Sequence, residues 1–152
     1  MPLNLKLIKY SSLNSRQKEN YNYQKLSALL ADYGFVTMRL SADWKGADLI
    51  AQHIDGDTFL IQLKSRLTFC EKYRGKGLYI AFRRRNDWYL YPHDEILKKV
   101  DAVVKFSATL SWTKGGVFSC KTPTKVMFQI LNPYQIEPSR NIQRKLKLDD
   151  EP

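Results

Sequence analysis

The sequence predicts one α/β domain, a mixed central β-sheet flanked by helices. An amphipathic segment near the start has helical periodicity, two β-prone runs follow it around a short turn signal, and a further strand pair precedes two shorter helical stretches. With 152 residues and 43% hydrophobic content, the chain can bury one ordinary core but hardly two. Residues 1–148 are therefore read as a single domain, and 149–152 as a short acidic tail without fixed structure.

From Asn14 to Tyr33, residues Tyr23, Leu26, Leu29, Leu30 and Tyr33 recur on one helical face, and Gly34 supplies the left-handed stop. Asn14 with Gln17 three residues on predicts a reciprocal cap at the helix start. Phe35 to Leu40 reads as a strand. Ala47 to Ile54 and Thr58 to Lys64 read as a hairpin around Asp55-Gly56-Asp57. Leu78 to Phe82 and Trp88 to Tyr91, linked by Arg83 to Asp87, form a second strand pair, and Pro92 to Val100 a short helix. Lys114-Gly115-Gly116, between Trp112 and Val117 to Ser119, predicts a peripheral hairpin. Thr122-Pro123 opens a helix carrying Val126, Met127, Ile130 and Leu131, and Asn132-Pro133 closes it.

Charge narrows the partners. Lys and Arg number 25 against 15 Asp and Glu, a net +10 with a pI near 9.6, so a polyanion such as nucleic acid is the expected partner. No apolar run reaches the roughly 18–20 residues of a spanning helix, and Met1 to Tyr10 lacks the pattern of a signal peptide; the expectation is a cytoplasmic protein that does not engage membranes. Cys70 and Cys120 lack the spacing of a metal cluster and read as free thiols. Trp44, Trp88 and Trp112 read as core or interface residues.

Asp48, Gln62 and Lys64 stand out because the hairpin brings them together. With the loop at Asp55 to Asp57, Ile54 faces Thr58, which sets Asp48 opposite Lys64 with Gln62 as a diagonal neighbour on the same face. A carboxylate, an amide and an ammonium beside Leu49 and Ile50 are costly to bury uncompensated. A hydrated Mg²⁺ and a phosphate would compensate them; a cross-strand salt bridge between Asp48 and Lys64 is the plain alternative.

The order of elements adds to this: a helix ending at Gly34-Phe35, a strand reaching Arg39, then Ser41-Ala42, Ala47-Asp48-Leu49-Ile50-Ala51 and Gln62-Leu63-Lys64-Ser65. Over roughly residues 20–66 this resembles the PD-(D/E)XK nuclease superfamily, most closely small bacterial homing endonucleases and archaeal junction resolvases. The resemblance implies a restriction-endonuclease-like core and metal-dependent hydrolysis of duplex DNA. Asp48 and Gln62 would be ligands of Mg²⁺, for which Mn²⁺ can substitute, and Lys64 would stabilise charge. Gln62 stands where the family has a carboxylate. The family's helix glutamate falls on Tyr23, and Glu19, one turn earlier on the same face, is the candidate that reaches the site.

DNA contacts are expected from Arg66, Lys72, Arg74 and Lys76 after the motif, from Arg83, Arg84 and Arg85 as a loop, and from Lys114. Cutting both strands implies a homodimer or homotetramer, with Trp88, Tyr89 and Tyr91 as a candidate contact. A restriction enzyme, a junction resolvase, an inactive nucleic-acid-binding module and an RNA-binding protein are the rival readings.

Overall fold

The computed structural model describes residues 1–138 and 141. In chain order the elements are α1 (Ser15–Ala31), β1 (Phe35–Trp44), β2 (Ala47–His53), β3 (Thr58–Lys64), β4 (Leu67–Cys70), β5 (Leu78–Arg84), β6 (Asp87–Pro92), α2 (His93–Val104), α3 (Leu110–Gly115), β7 (Val117–Cys120), α4 (Lys125–Leu131) and β8 (Gln135–Ile136). Six strands form one mixed sheet in the order β1-β2-β3-β5-β6-β8, and β4 pairs with β7 in a separate antiparallel ribbon. Among the described residues only β3 and β5 run parallel, so the chain between them must cross over, and β4 and a short 3-10 turn at Glu71–Tyr73 lie in that crossover.

Strand alternation builds a core on each side of the sheet. Leu49, Ala51, Ile61, Ala81 and Trp88 pack with Leu26 and Leu30 of α1. The residues one step along, Leu78, Ile80, Phe82, Tyr89 and Tyr91, pack with Phe69, Ile96, Phe106, Met127 and Leu131 from β4, α2, the turn after it and α4. Leu49 and Ile61 are fully buried neighbours in register, each contributing about 1.5–3 kcal/mol of hydrophobic burial.

The start of α1 is as expected: Asn14 Oδ1 accepts from Gln17 N and Gln17 Oε1 accepts from Asn14 N, both at 2.9 Å. At the far end Gly34 has φ +83°, and an added Cβ would sit 3.0 Å from His53 Nε2.

Several expectations are corrected. β1 runs four residues further than Leu40, because Lys45 (φ 53°) and Gly46 (φ 84°) make a two-residue turn that pairs Trp44 with Ala47. Trp112 and Lys114 lie on α3, not on a hairpin: the Thr109 side chain caps that helix, Gly116 ends it, and β7 pairs with β4. Thr124, not Thr122, caps α4. Arg83 and Arg84 belong to β5 and point to opposite faces, so with Arg85 (φ 56°) they do not form one loop. Leu67 to Cys70 and Tyr73 are buried, so the stretch that carries the expected DNA contacts Arg66 to Lys76 is in part core. Trp88, Tyr89 and Tyr91 are 6, 5 and 0% exposed and cannot meet a second copy.

Cys70 and Cys120 are free thiols. Among the described residues no helix is long and apolar enough to cross a membrane. Most of the basic stretch from Arg140 to Lys147, and all of 149–152, lie outside the described residues.

Candidate active site

The hairpin turns one residue earlier than its Asp55-Gly56-Asp57 signal suggests. Gly56, at φ 104°, donates its N–H to His53 O at 2.9 Å, and His53 N–H bonds Asp57 O at 2.7 Å. Gln52 therefore pairs with Thr58 and Leu49 with Ile61. One step further on, Asp48 meets Gln62 rather than Lys64, which becomes the diagonal neighbour. The displacement is by an even number, so all three residues keep the same face.

The Asp48 carboxylate is held on one oxygen. Gln62 Nε2 donates to Asp48 Oδ2 at 2.7 Å and Leu63 N–H donates to the same oxygen at 2.8 Å. Oδ1 has no hydrogen-bond partner among the described residues. Burial raises the Asp48 pKa above the usual carboxylate range; the Leu63 N–H opposes this, Glu19 adds to it, and Lys64 and Arg39 lower it. No ion pair joins Asp48 to Lys64 among the described residues, which removes the cross-strand salt bridge as the explanation of this face.

A cavity of about 390 Å³ lies over this face, lined by Asp48, Gln62, Lys64, Lys72, Tyr73, Glu19, the end of β1 from Leu40 to Asp43, and Gly46. Glu19 also lines two adjoining clefts, one with Arg16 and Arg39, the other with Lys18, Lys64 and Ser65, so it stands where three openings meet. Its carboxylate is engaged by Arg39 at 2.5 Å, and Arg39 also contacts Asn20 and lies over the Tyr23 ring.

The far wall is the crossover. His93, 1% exposed, accepts the Cys70 N–H on Nε2 at 3.1 Å; its Nδ1 lies 2.7 Å from Asp94, whose other oxygen accepts the Gly75 N–H at 2.9 Å. These bonds hold the segment carrying Lys72 and Tyr73 against the cavity. Asp43 Oδ1 accepts the Gly46 N–H at 2.7 Å and fixes the β1–β2 turn at the rim. Sequence reasoning missed Asp43, Tyr73 and Arg39. The Lys45-Gly46 pair between Trp44 and Ala47 was the available signal for the first.

The other expected DNA contacts are dispersed. Arg66, Lys72, Arg74, Lys76 and Lys114 are exposed. Arg74 pairs with Glu71 at 2.7 Å and lies over the Trp112 ring, which sets it against the helix that also carries Lys114. Arg83 lies over Tyr10 and Tyr21, Arg84 over Phe128, and Arg85 alone of the three is exposed at the turn.

The donor set can be tested against a metal. Asp48 Oδ1 has no hydrogen-bond partner among the described residues, Glu19 brings a second carboxylate to the same cavity, and Gln62 has an amide oxygen, all hard donors of the kind Mg²⁺ takes. No cluster of three or more His, Cys, Asp or Glu that could hold a metal exists among the described residues, so any ion here would rest on few protein ligands and keep several waters. The residues fit such an ion.

No family model matches the chain, and no curated protein matches it. Similar solved structures include the following two. The Hjc Holliday junction resolvase of Archaeoglobus fulgidus aligns over 45% of this chain and 74% of its own, at 17% identity and a TM-score of 0.38. The bacterial homing endonuclease I-Ssp6803I aligns over 87% of this chain and 93% of its own, at 12% identity and a TM-score of 0.48. At such identities and scores, what decides function is the chemistry of the cavity itself.

Proposed function

We propose that this chain is a divalent-metal-dependent endonuclease that hydrolyses phosphodiester bonds in duplex DNA, of the homing type. The observation that carries the reading is the single cavity in which Asp48, Gln62, Lys64, Glu19 and Lys72 meet. Asp48 and Glu19 would hold Mg²⁺ or Mn²⁺, with the Gln62 amide oxygen as a third donor once the amide turns away from Asp48. When bound, such an ion supplies charge stabilisation and a water more acidic than bulk.

The chain's own residues do the rest. Lys64 stabilises the negative charge that develops on the phosphate, Lys72 receives a phosphate at the cavity mouth, and Arg66, Arg74, Lys76 and Lys114 hold the duplex backbone. Cleaving both strands at one position requires two sites of opposite polarity, so at least a homodimer acts, or a homotetramer if further copies brace the contact. The compact single domain and neutral Gln62 favour a homing enzyme over a restriction enzyme or junction resolvase.

One observation favours a second reading. The Gln62 amide, standing where a carboxylate would serve a metal better, donates to Asp48. That satisfies the pair without an ion, as in a nucleic-acid-binding module that does not cut. Incubating supercoiled plasmid and a random-sequence DNA library with the protein separates the two: cutting in Mg²⁺ that stops with excess chelator supports the endonuclease, and binding without cutting in Mg²⁺ or Mn²⁺ supports the module. Mixed oligomers with Lys64→Ala chains should convert double-strand breaks into nicks; undiminished linear product from the active fraction would argue for a monomer.

A further inference from the structure

The chemistry above leaves Tyr73 without a task, although it lines the cavity and is only 3% exposed. Lys64 Nζ lies over its ring 5.4 Å from the centroid, and Lys72 Nζ lies 5.3 Å from the same centroid. Both distances are within cation–π range. Among the described residues neither ammonium has an ion pair or a hydrogen bond, so the Tyr73 ring is what each rests on.

The ring is itself fixed. His93 meets it edge-on, with centroids 5.6 Å apart and planes at 84°. On another side Gly46 leaves room only for a hydrogen: a Cβ there would lie 3.1 Å from the Tyr73 ring and 3.0 Å from Leu78. The His93 bonds to the Cys70 N–H and to Asp94, and the Asp94 bond to the Gly75 N–H, clamp the backbone on either side of Tyr73.

We propose that Tyr73 is a positioning residue whose ring is a shared platform holding the Lys64 and Lys72 ammonium groups at the cavity with their charge unspent. The inference rests on the nuclease reading of the cavity. An ion pair to Asp48 would also fix Lys64, but it would neutralise the charge that a phosphate needs. A ring face restrains the ammonium and leaves its N–H donors for incoming oxygens. A lysine stem without such a support is mobile, and misplacing a catalytic group by about 1 Å costs on the order of 100-fold in rate.

The test combines a readout that needs no catalysis with one that does. In NMR spectra of the wild-type protein, free of DNA and metal, the Lys64 and Lys72 methylene signals next to the ammonium should be displaced upfield by the ring current. They should stay displaced in Tyr73→Phe and return to ordinary lysine positions in Tyr73→Leu. In single-turnover cleavage, Tyr73→Phe should cut within about threefold of wild type, while Tyr73→Leu should lose about 100-fold in rate with half-saturating DNA concentration within about threefold.

Undisplaced lysine signals in the wild-type protein overturn the proposal, as does a Tyr73→Leu variant that cuts at full rate or is impaired only in DNA binding. If Tyr73→Leu does not fold, the wild-type and Tyr73→Phe spectra decide. Full-rate cutting by Lys64→Ala would instead overturn the nuclease reading of the cavity, with the spectra still judging the platform.

Discussion

Asp48 lines the cavity and Asp94 braces the crossover segment that carries Lys72 and Tyr73, both carboxylates are removed in part from solvent, and they are held in contrary ways. Burial acts to raise the Asp94 carboxyl, but the Gly75 N–H, the His93 ring and Arg74 outweigh it and hold its pKa below the usual range. At Asp48 the balance is reversed: burial and Glu19 outweigh the Leu63 N–H and the nearby cations, and the pKa is raised. The Asp94 carboxylate is satisfied from within the fold; Asp48 keeps an oxygen without a hydrogen-bond partner among the described residues. Asp94 braces the crossover, whereas Asp48 is the perturbed group that faces the cavity.

Substitutions should separate the two with opposite signs. Asp48→Asn should lower cleavage by roughly 10²–10³-fold, the size of loss expected when one electrostatic group is removed from a site. It should also make the protein more stable at neutral pH. The folded wild type keeps the Asp48 proton to higher pH than the unfolded chain, so its stability falls as pH rises from about 3.9 through the raised folded value, and the loss is fully present above it. Denaturation curves at pH 7 and near pH 3.5 measure this: the gain from Asn should be present at the first and vanish at the second. A destabilised Asp48→Asn at pH 7 would make Asp48 a structural residue like Asp94.

His93→Ala should do the reverse, costing about 3 kcal/mol through a lost buried ring and an unsatisfied Cys70 N–H. Burial lowers the His93 pKa despite Asp94, so the unfolded chain takes up a proton first. Wild-type stability should decline as pH falls below about 6.5, and His93→Ala should flatten that decline. Thermal melts between pH 5 and 8 read this directly, and a pH-independent wild type would show that His93 is not held neutral.

How much of this the sequence disclosed follows from the range over which each signal acts. The Asn14–Gln17 cap, the α1 stop at Gly34 and the shared face of Asp48, Gln62 and Lys64 depend on neighbours a few residues apart or on a parity that survives a two-residue register error. The β4–β7 ribbon depends on partners some fifty positions apart, so nothing near Leu67 to Cys70, set between Arg66 and Lys72, marked it as a paired strand. Tyr73 was hidden in the same way over shorter separations: nothing local says that His93 and Gly46 will close around its ring. The arginine run Arg83 to Arg85 misled because loop length was judged from charge, whereas β5 and β6 stay paired as far as Arg84 and Asp87.

Smaller effects sharpen the contrast. Gln62→Glu restores a charged donor beside Asp48 and should reduce the Mg²⁺ concentration for half-maximal cleavage by about tenfold, since ligand charge sets affinity at such sites. An unchanged or increased requirement would show that Gln62 serves only as a hydrogen-bond donor to Asp48. Smaller still, Arg85→Ala should change the slope of log affinity against log salt by about 0.9 at most, one phosphate contact, while Arg83 and Arg84 are engaged with aromatic rings. A larger change from Arg83→Ala than from Arg85→Ala would reverse that ordering.

Whether the cavity cuts DNA with Lys64 as its charge-stabilising group is decided by measuring cleavage rate and DNA affinity on the same preparation of Lys64→Ala in Mg²⁺. The expected result is a loss of about 10²–10³-fold in rate, affinity within about tenfold of wild type because other cations hold the backbone, and an unchanged fold. Cleavage at the wild-type rate, or a loss of binding and folding as large as the loss of cutting, would contradict it.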